Sequence, residues 1–198
     1  MTPDEVEEFQ TLHLNHLGKP LSVDRILGPQ TRWALDFEGV SLARRAIVVA
    51  AQQHIGLTEN PIGSNTDPAG LILGWLKACG ARLGDAWCAA FASHCLSQSL
   101  GPVKIGGAQA LGKHFPPATA PCPGDVMWYP TQDWQGHCGV VLGVSAREVM
   151  TIEGNCDNAV RCVRRALGGL RFSRTIEGAV GTCPGVVPSV ALAGGRTR

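Results

Sequence analysis

Hydrophobic periodicity changes character once along this chain, and that change restricts the fold more than any other feature. Up to about Gly101 the apolar residues recur at helical spacing, whereas beyond Pro123 they alternate or run in short blocks bounded by turn residues. "LARRAIVVAAQQHIG" predicts an amphipathic helix ending at Gly56, "PAGLILGWLKACG" a second ending at Gly80, and "DAWCAAFASHCLSQSLG" a third ending at Gly101. A Gly/Pro-rich stretch from Gly101 to Pro123 follows. Then come the strand patterns "GDVMWYP", "HCGVVLGV", "REVMTIEGN" and "AVRCVRRAL", with a last short strand near "TIEGAV". Helices followed by an antiparallel meander give an α+β domain.

That domain is expected to run from about Val40 to Cys183, followed by a loosely ordered tail from Pro184 to Arg198. Ahead of it, residues 1–38 read as a separate helical unit: an acidic-starting helix through Asn15, a loop, and a short helix from about Gln30 to Phe37, opened by Gly28, Pro29 and Thr31. The run "VDRILGPQTRWAL" holds Val23, Asp24, Gly28, Pro29, Thr31, Ala34 and Leu35 in the register V-D-G-x-x-G-P-x-T-x-x-A-L. It resembles the small peptidoglycan-binding module of cell-wall hydrolases. Arg25 stands where that pattern has glycine, and the unit is shorter than such modules. A helical hairpin that packs on the main domain is the competing reading.

A net charge of +1 gives no electrostatic footprint for nucleic acid or an anionic membrane surface. No stretch approaches the roughly 18 apolar residues of a spanning helix, and Met1 to Gln10 is acidic where a signal peptide would be basic and then apolar. The expectation is a soluble, monomeric protein made in the cytoplasm without a signal peptide. The eight cysteines include no C-x2-C or C-x4-C pair, so no structural zinc is expected. If one thiol is reserved for chemistry, at least one of the other seven stays unpaired in any intramolecular disulfide scheme. Cys156 and Cys162 flank a short turn and could pair, or could remain reduced.

The cysteine of interest is Cys88. It shares an apolar helix face with Phe91, Ala92, Cys95 and Leu96, as a core thiol would. With Asp85 as N-cap it would also lie in the first turn of its helix, where unpaired N–H groups and the helix dipole favour a thiolate. Cysteine hydrolysis further needs an imidazole and an acceptor that orients it. "GHCGVVLGV" and "EVMTIEGN" are joined by a tight "SAR" connection and should form a hairpin. With Val144 facing Glu148, His137 lies opposite Asn155 and Gly139 opposite Glu153, which places His137, Glu153 and Asn155 on one face. The remaining histidines, His13, His16, His54, His94 and His114, read as surface or loop residues or, for His94, as pointing away from Cys88.

"WCAAF", "PGDVMWY", "GHCGVV" and "IEGN", in that order, resemble the CHAP family, the cysteine/histidine-dependent amidohydrolases and peptidases of papain-like fold. The resemblance covers about Ala43 to Val180. It implies Cys88 as nucleophile, His137 as general base and acid, and Glu153 with Asn155 as orienting groups. It also implies bacterial peptidoglycan as the partner, no cofactor, and an endolysin-like amidase or endopeptidase that reaches the wall after release or delivery. A non-catalytic wall-binding or virion structural protein, and an injected antibacterial amidase, are the alternatives. Some relatives carry an aspartate-rich calcium loop; here only Asp67 and Asp85 precede Cys88 in that region, so no metal is expected. Trp87, Trp128 and Trp134 are the candidate substrate-binding aromatics, with Trp128 and Trp134 flanking the loop before His137. Cys138, next to His137, is unusual and could form an oxidised pair with Cys88.

Overall fold

The computed structural model describes residues 1–15 and 19–177. Among them are six helices, α1 (Pro3–Leu12), α2 (Pro29–Asp36), α3 (Leu42–Gln52), α4 (Leu71–Ala78), α5 (Cys88–Leu100) and α6 (Ala108–His114). Five strands follow, β1 (Val126–Pro130), β2 (Gly136–Val144), β3 (Glu148–Cys156), β4 (Ala159–Ala166) and β5 (Arg171–Ser173). The strands form one antiparallel sheet in the order β4-β3-β2-β1-β5. The fold is α+β, with the helical half first, as the change of periodicity predicts. Two details differ. The Gly/Pro-rich stretch contains the short helix α6, and the last strand lies at Arg171–Ser173 rather than near "TIEGAV", of which residues 178–180 fall outside the described residues. The proposed tail lies outside them too.

Alternation along the strands sorts the sheet into two faces. Val126, Trp128, Cys138, Val140 and Ile152 face the helices and join one apolar cluster with Ile47, Ile72, Phe91 and Leu96, whereas Met127, Val141 and Val149 gather with Phe172 on the other side. Helix α5 crosses the first face, and Gly154 is what lets it come so close. A Cβ there would lie 2.7 Å from Phe91 Cβ and 2.8 Å from Trp87 Cζ3, so only glycine admits β3 to this contact. The start of α5 is thereby pressed against the ends of β2 and β3. A buried ion pair ties α3 to β1: Arg44 Nη1 lies 2.6 Å from Asp125 Oδ1 and also donates to the Pro123 carbonyl.

The N-terminal unit does not stand apart from this core. Phe9, Leu21, Trp33, Ala34 and Phe37 are buried in the same apolar cluster as Ile47 and Phe91, and Trp33 Nε1 donates to Gln52 Oε1 on α3. Thr2 caps α1 in a reciprocal box with Glu5. Gln10, itself buried, binds Asp24 Oδ1, the Ile26 carbonyl and Thr31 Oγ1, which fixes the loop between the two helices. Arg25 takes φ 62°, the left-handed conformation for which glycine is suited, and its guanidinium pairs with Asp4 and, at 3.3 Å, with Glu7. These contacts seat the segment on the core of the main domain. Burying a large apolar side chain contributes about 1.5–3 kcal/mol. Deleting residues 1–38 is therefore expected to lower the melting temperature by at least about 10 °C. An unchanged melt would instead mark the segment as an independent appendage.

Candidate active site

Cys88 is the first residue of α5, and 5% of it is exposed. The helix start differs from the sequence expectation in its cap. Trp87, with φ −111° and ψ 11°, occupies the N-cap, while Asp85 lies outside the helix and accepts the Arg82 N–H at 2.7 Å. No side chain therefore competes for the first-turn N–H groups, which remain available to a negative charge at Cys88.

The β2–β3 hairpin supplies the facing groups. Val140 pairs with Ile152 and Val141 with Thr151, the register that puts Gly139 beside Glu153. Nearer the turn the register shifts, and Val144 pairs with Val149 rather than Glu148. A bulge at Leu142 absorbs the extra residue, its side chain buried in the core beneath the helices. The bulge lies between turn and site, so the anticipated pairing fails at the turn and holds at Val140 and Val141. Gly139 is needed there. A Cβ would lie 2.5 Å from Glu153 Cγ and 2.9 Å from the Ile152 carbonyl, in the space that the Glu153 side chain fills.

His137 and Glu153 are joined directly, with Nε2 and Oε2 2.8 Å apart, and the Glu153 side chain is fully buried. The His137 ring also shares a hydrogen bond with the Cys88 thiol. Cys138, fully buried on the helix-facing side of β2, contributes a second hydrogen bond to Cys88. That bond from Cys138 and those from His137 outweigh burial and hold the Cys88 thiol well below the usual range, while the Cys138 thiol is pushed well above it. Burial works to strip the proton from His137, but its bonds to Cys88 and Glu153 prevail and raise its pKa to about 9. Burial likewise opposes ionisation of Glu153, yet hydrogen bonds from Arg165, His137 and Thr151 lower its pKa to about 2. These shifts all favour the charged forms: thiolate at Cys88, imidazolium at His137 and carboxylate at Glu153.

Two side chains that sequence reasoning overlooked hold this carboxylate. Arg165 binds both oxygens, Nε to Oε1 and Nη2 to Oε2 at 2.6 Å each, and Thr151 Oγ1 donates to Oε1 at 2.5 Å. A third overlooked residue, Gln109 of α6, donates from Nε2 to the carbonyls of Gln132, Asp133 and Gln135 at 2.7–3.0 Å, clamping the turn before His137.

The other anticipated site residues are distributed differently. Asn155 has φ 54° and directs its Nδ2 to Asn65 Oδ1 at 3.5 Å; it does not bind His137, whose Nε2 is taken by Glu153. Trp87 is fully buried, with its N–H given to the buried Glu59 at 2.8 Å, and Trp128 is buried with its N–H given to Ser173. Neither offers a free ring face to a substrate. Trp134, at 77% exposure on the clamped turn, does. His94 points away from Cys88, pairing with His54 beside Trp75. Cys156 and Cys162 are free thiols, whereas Cys122 is disulfide-bonded. Among the described residues no group of three or more His, Cys, Asp or Glu is placed to hold a metal ion, and no helix is long and apolar enough to cross a membrane.

The imidazolium is the part of this arrangement most open to direct test. By NMR, the His137 ring is expected to hold its proton until about pH 9 and to lose it earlier in Glu153→Gln, where a negative neighbour is gone. A midpoint near 6.5 in the unaltered protein would contradict the ion pair.

Comparison with known families gives one match. Residues 80–155 match the family model of the CHAP domain, a stretch that contains the start of α5, His137 and Glu153 and ends before Arg165. No curated protein matches the chain significantly. The match over residues 80–155 supports amidase or peptidase action on peptidoglycan in general.

Proposed function

We propose that this protein hydrolyses an amide bond of peptidoglycan through Cys88, as an endolysin-like N-acetylmuramoyl-L-alanine amidase or stem-peptide endopeptidase. The observation that carries the proposal is His137 held between the Cys88 thiol and an ionised, fully buried Glu153. The Cys88 thiolate attacks the amide carbonyl. His137, already protonated, delivers its proton to the leaving amine, and the acyl group remains on sulfur. His137 then takes a proton from water as that water attacks the thioester, releasing the acid and restoring the thiolate–imidazolium pair. Glu153, bonded to Nε2, orients the ring and balances the imidazolium charge. The Cys88 backbone N–H, at the helix start, is the oxyanion donor in this reading.

Trp134 fits the sugar-contacting part of such a site. Its indole is exposed, and the turn that carries it is stiffened by the three carbonyl bonds from Gln109. A rigid exposed ring loses little entropy when a sugar stacks on it.

Cys88→Ala should retain the fold and lose more than about 10³-fold in release of soluble fragments from purified peptidoglycan. Glu153→Gln should lose about 10²- to 10⁴-fold, and Asn155→Ala, with its amide on Asn65, much less. Mass spectrometry of the fragments identifies the bond cut. Hydrolysis by Cys88→Ala at the unaltered rate would reject the cysteine mechanism. Trp134→Ala should weaken action on intact wall about fivefold, the equivalent of about 1 kcal/mol of stacking, and leave hydrolysis of a short muropeptide unchanged.

A further inference from the structure

We propose that Arg165 is a positioning residue of this site, the fourth member of a chain that runs Cys88, His137, Glu153, Arg165. The inference rests on the reading of Cys88 and His137 given above, and it adds a residue that lies outside the stretch matched to the CHAP domain.

The geometry is that of a fork closed on a carboxylate. Nε and Nη2 of Arg165 reach Oε1 and Oε2 of Glu153 at 2.6 Å each, Thr151 Oγ1 occupies Oε1, and His137 Nε2 occupies Oε2 at 2.8 Å. Both oxygens are therefore saturated, and the bidentate pair fixes the plane of the carboxylate. A single-point contact would leave the carboxylate free to turn about its last bond; the fork keeps Oε2 aimed at His137. Arg165 is in turn seated over the Tyr129 ring, 5.5 Å from its centroid, and that ring lies 5.7 Å from the ring of His137. Arg165 thus reaches the imidazole along two routes, one through Glu153 and one through Tyr129.

Charge gives the second reason. A thiolate, an imidazolium and a carboxylate sum to one negative charge in a largely buried site, and an isolated buried charge is costly. Arg165, with 26% of its side chain exposed, supplies the cation that neutralises the set while its outer edge stays in water. The titratable and charged groups around Glu153 are Tyr129 from β1, His137 and, on the opposite face, Cys138 from β2, Cys156 from β3, and Arg161 and, on the opposite face, Cys162 from β4; Cys88 from α5 adjoins His137. Of these His137 alone bonds to the carboxylate, so Arg165 has no substitute.

Removing the cation makes the site more negative, so Cys88 should give up its proton at higher pH. The test is the rate of Cys88 alkylation by iodoacetamide as a function of pH, read by peptide mass spectrometry, beside the rate of peptidoglycan hydrolysis at pH 7. Arg165→Met is expected to move the alkylation midpoint up by about one pH unit and to slow hydrolysis about 10²-fold through a misaligned imidazole. Arg165→Lys keeps the charge and loses the fork. It should hold the alkylation midpoint and still slow hydrolysis about tenfold. A packing role alone would leave both midpoints in place, and an unshifted midpoint in folded Arg165→Met overturns the proposal. Should Arg165→Met fail to fold, Arg165→Lys decides: hydrolysis at the unaltered rate overturns it, and a slower rate at an unmoved midpoint upholds it. Alkylation needs no substrate, so a shifted midpoint without peptidoglycan hydrolysis by the unaltered protein would reject the substrate assignment and leave Arg165 in its role.

Discussion

A carboxylate with no solvent exposure stays ionised only where its surroundings replace the water it has lost, and Glu153 is such a group. Arg165, Thr151 and His137 between them occupy both of its oxygens. The imidazolium of His137 depends on this anion, and the low affinity of Cys88 for its proton depends in part on the imidazolium. Each ionised group in the line is stabilised by the next. At Cys88 this line opposes burial, which alone favours a neutral thiol, as it does for Cys95 on the same helix, whose thiol is pushed far above its usual range.

The fold serves this line by bringing an α-helix start to the ends of two strands. Two glycines make the approach possible. Gly154 admits β3 against Phe91 and Trp87 at the start of α5, and Gly139 clears the space on β2 into which Glu153 reaches. Around them the buried Glu59 anchors the Trp87 indole and the Asn65 backbone, joining the loop that precedes the helix to the helix start itself. Arg44 and Asp125 fix the other end of the helical layer to β1. The N-terminal helices complete the core from outside, adding Trp33 and Phe37 to the apolar cluster that α3 and α5 build.

Much of this could be read from the chain, and what could not has definite causes. Apolar alternation located the four long strands and put His137 and Glu153 on one face, because only one parity buries the apolar set. The bulge at Leu142 had no local signal, yet it fell on the turn side of the site and left the relevant pairing intact. The second bulge was less forgiving. Cys156 pairs with Ala159 across a tight turn, and extending that register would set Arg164 on the face of Glu153. The shift between Glu153 and Cys156 brings Arg165 there instead, so Arg165 could not be deduced from a run that reads as a solvated strand. Asn155 was misplaced by the same irregularity: its left-handed backbone turns the amide toward Asn65. Asp85 read as a cap because its side chain suits one, but the helix begins later, at Cys88, with Trp87 fixed by burial and by Glu59. The burial of Trp87 and Trp128 follows from tertiary packing, which aromatic content alone does not reveal.

The central claim is that Cys88 exists as a thiolate before any substrate arrives. Its most direct test is thiolate absorbance near 240 nm, recorded as a difference between the unaltered protein and Cys88→Ala across a pH titration. The account predicts that the difference signal rises well below the ordinary thiol range near 8.5 and accounts for one thiolate per chain. A signal that appears only at or above pH 8.5 would show Cys88 to be an ordinary buried thiol, and the mechanism built on it would fall.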